Sequence, residues 1–362
     1  MSKQTQLFPV HESLQAKLIP FAGYDMPVRY VGDKAEHMVV RNAAGMFDVS
    51  HMGEFIIRGP KALELIQKVT SNDASRLRPG KAQYSCLPNH EGGIVDDVIV
   101  YHIRDDQYMI VANAANITKD WEWISASNSM GAEMIDVSEQ TSLLAVSGPK
   151  AESVVQKLLP EVDLSAMGTY ECWKGTFDGA EKSLLATTGY TGERTFEIFV
   201  YNEHAVRIWN DLLEVGEEFG LQPTGLGARD TLRLEMGYML YGNDINDTTS
   251  PLEAGLGWIT KLKKGPFNGS EAIQALKAKG LTKKLVSFKM TQRGIPRSGY
   301  EIVHEGKVVG TVTSGTMSPV LNEGIGMGYV PVELATPGST LSIRVRSKDL
   351  EAVVIKTPFI TK

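Results

Sequence analysis

The sequence predicts an α+β fold made of two related α+β halves followed by a small antiparallel β domain. Three observations predict it. The string Gly-Pro-Lys-Ala begins at Gly59 and again at Gly148, each time with Gln-Lys at the same later offset. Each copy follows an apolar, strand-like run. Beyond residue 284 the sequence pattern changes to short β-rich runs separated by Gly, Pro and Ser turns.

The repeated segments are Arg58–Val69 and Ser147–Leu158. They follow the predicted strands Glu54–Ile57 and Leu143–Val146. Each segment places Pro at the first predicted helical position, where the missing N–H of proline removes no hydrogen bond. Two interpretations stay open at this point: chance similarity between short helix starts, or two related α+β halves that pack side by side.

Other elements of the first two parts follow from caps and periodicity. Asp33, followed by Glu36 and ended by Gly45, predicts a capped helix over Lys34–Ala44. Apolar residues at helical spacing before Gly220 predict a helix over residues 203–219. Two β-rich runs predict buried strands; they are Gly93–Ile103 and Tyr108–Ala112.

The last part is predicted to be an antiparallel barrel or sandwich, because its strand-like runs are short and regularly spaced. The runs are Leu285–Met290, Tyr300–Val303, Lys307–Thr313, Gly326–Val330, Thr340–Val345 and Ala352–Thr357. A Lys-rich stretch precedes them, which favours a boundary near residue 280. The predicted domains are 1–140, 141–280 and 281–362.

The amino-acid composition limits the functions that the chain can have. The 362 residues are 42% apolar and 22% charged, with a net charge of −6. A cluster of excess positive charge that could bind nucleic acid is therefore not expected. We find no signal peptide and no apolar run long enough to span a bilayer, so no membrane association is expected. Cys86 and Cys172 have no metal-type spacing, which is typical of free thiols in a reducing compartment. We therefore predict a cytoplasmic protein.

Generic catalytic motifs are scarce, and no complete dinucleotide, Walker, HExxH or GxSxG signature occurs. His90, Asp96, Asp97 and His102 are close in sequence, but successive strand residues face opposite ways, so no metal site is predicted. The same alternation prevents Asp96 and Asp97 from forming an acid–base pair. One of them can still face a site; the alternative is a pair that caps loop amides at a strand end.

Several strings together resemble the glycine cleavage T-protein family. They occur in family order over essentially the whole chain, and together they are far more specific than any one alone. They are Gly45-Met-Phe-Asp-Val-Ser-His-Met-Gly-Glu54, Gly92-Gly-Ile-Val-Asp-Asp-Val-Ile-Val-Tyr101, Thr188-Gly-Tyr-Thr-Gly-Glu193, Gly225-Leu-Gly-Ala-Arg-Asp-Thr-Leu-Arg-Leu-Glu235, Ser250-Pro251, Gly255-Leu-Gly-Trp258 and Thr313-Ser-Gly-Thr-Met-Ser-Pro319.

The resemblance implies a three-domain cloverleaf around a folate pocket, with a C-terminal β-barrel. It also implies an aminomethyltransferase. Such an enzyme takes the aminomethyl group carried on the dihydrolipoyl arm of lipoylated H-protein and passes the one-carbon unit to tetrahydrofolate, with release of ammonia. Tetrahydrofolate is then a co-substrate, and no metal is implied.

The resemblance also implies roles for individual residues. Asp97 matches the key carboxylate beside the reacting folate nitrogens, where a fixed negative charge would stabilise developing positive charge. Glu197 matches the carboxylate that accepts hydrogen bonds from the pterin edge, and Arg229 matches a folate-contacting arginine. The implied folate contacts also include Tyr84, Ile99, Tyr101, Asn113 and Tyr190.

Two other functions stay open. One is a sibling folate-dependent methyltransferase or demethylase that uses a different one-carbon donor. The other is a non-enzymatic folate-binding factor for iron–sulfur assembly. Relatives of that second kind carry a Lys-Gly-Cys-Tyr-type motif where this chain has the segment 228–233, and neither cysteine lies in such a motif.

Overall fold

The computed structural model describes residues 2–361, which divide into two compact units. The first unit comprises the chain up to Val69 together with Asp73–Ser85 and Val98–Asp230. The second comprises Thr70–Asn72, Cys86–Asp97 and the chain from Thr231 onward. No helix in the described part of the chain is long and apolar enough to cross a membrane.

Helices and strands alternate irregularly along the chain. The α-helices are α1 (Phe8–Ser13), α2 (Asp33–Asn42), α3 (Ala62–Val69), α4 (Ile117–Ser127), α5 (Ala151–Leu158), α6 (Asn202–Gly216), α7 (Leu226–Glu235) and α8 (Ser270–Lys279). The strands are β1 (Lys17–Phe21), β2 (Tyr24–Arg29), β3 (Ala44–Asp48), β4 (Gly53–Arg58), β5 (Lys81–Pro88), β6 (Ile94–Arg104), β7 (Gln107–Ala112), β8 (Glu133–Asp136), β9 (Thr141–Ser147), β10 (Cys172–Phe177), β11 (Ala180–Ala186), β12 (Thr195–Tyr201), β13 (Leu221–Pro223), β14 (Lys283–Met290), β15 (Glu301–His304), β16 (Lys307–Met317), β17 (Gly324–Pro331), β18 (Thr340–Val345) and β19 (Lys348–Ile355).

Two sheets carry most of the α+β part. One has six strands in the order β10-β11-β12-β9-β3-β13, and the other has five in the order β5-β6-β7-β4-β8. The core of the six-stranded sheet is formed with α5 and α6 and includes the fully buried Phe177, Phe196 and Trp209. Burial of each such ring contributes about 2–3 kcal/mol. The predicted helix over 203–219 is confirmed as α6, which continues into a short 3₁₀ turn before Gly220.

The repeated segments form the same local structure. In each, the Gly-Pro-Lys-Ala turn is closed by a hydrogen bond from the alanine N–H to the glycine carbonyl, at 2.9 Å for Ala62 and 3.0 Å for Ala151. Later in each copy a glutamine side-chain oxygen accepts from the backbone of the following 3₁₀ turn; the glutamines are Gln67 and Gln156. The local structure is therefore repeated, and the interpretation as two related halves stays a prediction. The predicted proline position is wrong, because the prolines belong to the closing turns and the helices begin two residues later.

Helix α2 ends earlier than the sequence predicted. It stops at Asn42, and Ala44 already begins β3, whose five residues are all buried between β9 and β13. Tertiary pairing therefore decides the boundary in place of Gly45. Asp33 is the first helical residue and does not act as the cap. Instead Glu36 Oε1 accepts from the N–H groups of the loop before the helix, at 2.8 Å from Val31 and 2.9 Å from Gly32.

The second unit contains a closed antiparallel barrel, which confirms the barrel over the sandwich. All six predicted β runs are strands, and β14 closes the barrel by pairing with both β17 and β19. Its interior is apolar and includes the buried Phe288, Ile302 and Ile343. In the same unit, Arg233 on α7 forms a buried ion pair with Asp244 at 2.8 Å. The domain boundaries at 140 and 280 stay a prediction.

Candidate functional site

The first unit brings two of the predicted site residues into direct contact. Glu197 is half-buried on β12, and Tyr101 is fully buried on β6. The Tyr101 hydroxyl donates to Glu197 Oε2 at 3.2 Å, and the Thr188 hydroxyl donates to the same oxygen. The two hydroxyls are themselves 2.7 Å apart. A carboxylate is thus held through one of its two oxygens.

The other carboxylate oxygen of Glu197 has a different environment. Among the described residues, Oε1 has no hydrogen-bond partner, and it is not sealed from solvent. Because an ionised carboxylate oxygen is a strong acceptor, Oε1 is available to an N–H donor of a ligand. The arrangement fixes the carboxylate and leaves half of its accepting capacity for binding.

Burial keeps Tyr101 in its donor form. Desolvation first, and then the negative charge of Glu197, raise the pKa of Tyr101 well above its ordinary value. The Tyr101 ring also packs edge-to-face on Phe199, with centroids 5.8 Å apart. Its position is therefore set by packing as well as by hydrogen bonds, as required of a residue that orients another.

The loop between β11 and β12 connects this carboxylate to a second pair of predicted residues. Thr188 contacts Glu197, and two residues later the ring of Tyr190 lies under the guanidinium of Arg229, whose carbon is 4.6 Å from the ring centroid. This cation–π contact is worth about 1 kcal/mol. Tyr190 and Arg229 are both half-buried, so each can also contact a ligand.

The same loop is anchored from α2. Arg41 Nη1 donates to the Thr191 carbonyl and to Glu193 Oε1, both at 2.7 Å, in an ion pair that is largely buried. Thr191 and Thr195 each bond the hydroxyl of Ser147 on β9, at 2.5 and 2.7 Å. These contacts hold the backbone that presents Thr188 and Tyr190.

For the remaining predicted residues, the structure gives the position in the chain and the degree of burial. Ile99, Tyr84 and Asn113 belong to the first unit and are half-buried, on β6, on β5 and just after β7. Asp97 belongs to the second unit, where it is half-buried while Asp96 is fully buried. The two neighbouring carboxylates thus have different surroundings, as strand alternation predicted.

In the second unit Asp97 lies close enough to the buried Cys86 to affect its titration. Burial, and then the charge of Asp97, raise the pKa of the Cys86 thiol well above its ordinary value. The two cysteines are not joined in a disulfide. No group of three His, Cys, Asp or Glu side chains within residues 2–361 could hold a metal ion.

Several contributing residues were not singled out from the sequence. Thr188 and Phe199 support the carboxylate–tyrosine contact. Glu54 on β4 and His51, just before β4, are both buried. Thr188, His51 and Glu54 all lie within strings that resemble the family, so the strings were the available signal. Their particular contacts depend on distant strands and could not be predicted from those strings.

The fold defines an α+β protein with a C-terminal barrel, and family models match both parts. Residues 7–264 match the GCVT N-terminal domain, and residues 283–360 match the glycine cleavage T-protein C-terminal barrel domain. An aminomethyltransferase of Flavobacterium psychrophilum is 57% identical, with 99% of this chain and 100% of the relative covered. One of Phocaeicola vulgatus is 52% identical, with 99% of each chain covered.

A solved structure agrees with these relatives. The glycine cleavage system aminomethyltransferase T of Bartonella henselae is similar with a TM-score of 0.93 and 32% sequence identity, over 99% of this chain and 98% of that one. The chain belongs to the glycine cleavage T-protein family. It is an enzyme, a transferase of the aminomethyltransferase type.

Proposed function

We propose that this enzyme moves the one-carbon unit of aminomethylated, lipoylated H-protein to tetrahydrofolate. The bonds from that carbon to the lipoyl sulfur and to the amine nitrogen break, and bonds to N5 and N10 of the folate form. The two protons lost from N5 and N10 end on the dihydrolipoyl thiol and on the released ammonia. Family membership and the names of the relatives support this reaction.

The observation that carries the proposal is the half-satisfied carboxylate of Glu197. A pterin is a flat ring with N–H donors along one edge. We infer that Glu197 Oε1 accepts from that edge, which is supported by the contacts of Thr188 and Tyr101 with Oε2. A carboxylate fixed before binding loses little rotational freedom when the ligand arrives, which favours affinity.

The Arg229–Tyr190 pair suits the rest of the same ligand. The tyrosine offers an aromatic face, and the guanidinium retains N–H donors for carbonyl or carboxylate oxygens of the folate. Tyr84, Ile99 and Asn113 are proposed to line the site, since each is half-buried and retains accessible surface. Resemblance to the family is the basis for that assignment.

Asp97 is proposed as the catalytic residue. On strand β6, Asp97, Ile99 and Tyr101 occupy alternate positions, so their side chains leave the same side of that strand. A carboxylate there stabilises the positive charge that develops on the one-carbon unit as the amine departs. It also orients the folate, whose N5 is already nucleophilic, so little general-base assistance is required.

The test is ammonia release from aminomethylated H-protein, with and without tetrahydrofolate, for wild type and Asp97→Asn. We expect release and methylenetetrahydrofolate formation to require both enzyme and folate, and Asp97→Asn to slow both by roughly a hundredfold. Asp105→Asn, the same change at an exposed position of the β6–β7 turn, is the control and should behave as wild type.

Two results would contradict the proposal in different ways. If the wild type binds tetrahydrofolate but leaves aminomethylated H-protein untouched, the donor is wrong, and methylated amines or sulfonium compounds should be tried. If Asp97→Asn and Asp105→Asn are equally active, the role of Asp97 is wrong while the reaction stands.

A further inference from the structure

Glu54 is a fully buried carboxyl group on β4 whose side chain has no hydrogen-bond partner in the described part of the chain. Neither Oε1 nor Oε2 is bonded, although the backbone N–H donates to Ser138 Oγ at 2.9 Å and the carbonyl accepts from Val137 at 3.0 Å. An ionised carboxylate that is buried without a protein donor is strongly unfavourable. The geometry therefore favours the protonated form of Glu54.

Strand register places Glu54 on the sheet face that carries Ile99 and Tyr101. Glu54 pairs with Val111 on β7, and Val111 pairs with Ile99 on β6. Directly paired residues project to the same side of a sheet, and Tyr101 is two positions beyond Ile99 on that side. Glu54 therefore projects from the sheet face that carries Tyr101, the hydrogen-bond partner of Glu197.

Charges around Glu54 disfavour its ionisation. Burial, followed by the charges of Asp136 on β8 and Glu197 on β12, raises the pKa of Glu54 well above its ordinary value. Tyr24 on β2 also interacts with Glu54, and burial is the main cause of the raised pKa of that tyrosine. Ionised Glu54 and Glu197 would repel each other, so a charge at one position opposes a charge at the other.

His51 is buried nearby in sequence, and its surroundings disfavour the positively charged form of its ring. It is 2% exposed, its Nδ1 has no partner among residues 2–361, and its ring packs edge-to-face on Phe21 at 5.5 Å. Burial lowers the pKa of His51 to about 4, and Arg229 contributes in the same direction. The segment that contains His51 and Glu54 thus stays uncharged beside two residues proposed to bind folate with their charges.

Resting on the proposed folate site, we propose that Glu54 is a positioning residue for Glu197. Protonated, it leaves the Glu197 carboxylate free to accept from the pterin edge. Ionised, it repels that carboxylate and displaces it from the ligand. Folate affinity therefore decreases as rising pH removes the proton from Glu54.

The first measurement is the Kd for tetrahydrofolate between pH 6 and 9.5, for wild type and Glu54→Gln. The ratio of wild-type Kd to variant Kd should rise by roughly tenfold across this range, because glutamine cannot ionise. Glu181→Gln, the same change at an exposed position of β11, is the control and should follow the wild-type curve. Superimposable curves for wild type and Glu54→Gln would overturn the proposal.

A second measurement reads the proton on Glu54 without folate. The folded state keeps this proton at pH values where a glutamate of the unfolded chain has lost it. Raising the pH from about 4.3 toward the folded pKa therefore destabilises wild type. Relative to Glu54→Gln, the unfolding equilibrium constant of wild type should increase by up to about tenfold per pH unit in urea titrations.

The two measurements separate the possible failures. A flat ratio in the unfolding series would show Glu54 ionised in the native protein and would refute the inference. Wild type that binds no tetrahydrofolate at any pH would refute the proposed function, while the unfolding series still reports the proton. If Glu54→Gln does not fold, Glu54→Met provides a second uncharged side chain of similar length.

Discussion

The Tyr101 hydroxyl lies 2.7 Å from Oγ1 of Thr188 and 3.2 Å from Oε2 of Glu197, so two hydroxyls from different elements converge on one carboxylate oxygen. Tyr101 comes from the five-stranded sheet, and Glu197 comes from the six-stranded sheet. The contact thus joins these two sheets. Its geometry makes the position of Glu197 depend on both.

Removing one hydroxyl tests that dependence. Thr188→Val deletes the donor to Glu197 while preserving side-chain shape, and the lost bond to a charged acceptor is worth about 1.5–3 kcal/mol. Tetrahydrofolate affinity should fall by roughly tenfold or more in isothermal titration calorimetry. Thr118→Val, at an exposed position of α4, provides the control. Equal affinities in both variants would show that Thr188 does not position the carboxylate.

The Arg229–Tyr190 contact predicts measurable coupling between the two side chains. Arg229→Met and Tyr190→Leu should each weaken tetrahydrofolate binding, since each removes a proposed ligand contact and the cation–π contact. The double variant should lose less than the two single losses combined, by about 0.5–2 kcal/mol. A double-mutant cycle of Kd values measures this coupling. Strict additivity would mean that the pair acts on the ligand independently.

Local pattern was sufficient for much of the fold. The barrel strands were predicted because their apolar residues, turns and lengths are local properties of the chain. The repeat was predicted because its turn and helix start use the same residues twice. Helix α2 was misjudged at its end, because β3 gains more from pairing with β9 and β13 than Ala44 gains from remaining helical.

The site was only partly accessible from sequence. Glu197, Tyr101, Tyr190 and Arg229 were proposed through the resemblance to the family. In the structure Glu197 contacts Tyr101, and Arg229 contacts Tyr190. Glu54 could not be recognised as buried and unpaired, since Gly-Glu-Phe-Ile-Ile-Arg is typical of a strand with one solvated face. Its burial comes from strands and loops far away in sequence. Hydrogen-bond satisfaction of a side chain is therefore a tertiary property.

The buried Arg233–Asp244 pair predicts a large stability effect in the second unit. Asp244 Oδ2 accepts from Arg233 Nη1 at 2.8 Å, from Leu240 N at 2.9 Å and from Ser314 Oγ at 2.8 Å. Asp244→Asn removes the negative charge of this buried ion pair, which should destabilise the protein by about 3–5 kcal/mol. Urea unfolding measures the change. A loss below about 1 kcal/mol would show that the pair contributes no more than an exposed one.

The burial of His51 predicts a decrease in the free energy of unfolding at acidic pH. Its folded pKa is about 4, below the ordinary value of 6.5, so the unfolded chain binds a proton at a pH where the native protein does not. The contribution of neutral His51 is therefore fully present above about pH 6.5 and is lost as the pH falls toward 4, by about 3 kcal/mol in total. His51→Asn cannot titrate, so its unfolding free energy should decrease less between pH 7 and pH 4.5 than that of wild type. If urea titrations give the two proteins the same decrease, His51 is not the neutral buried group that its surroundings require.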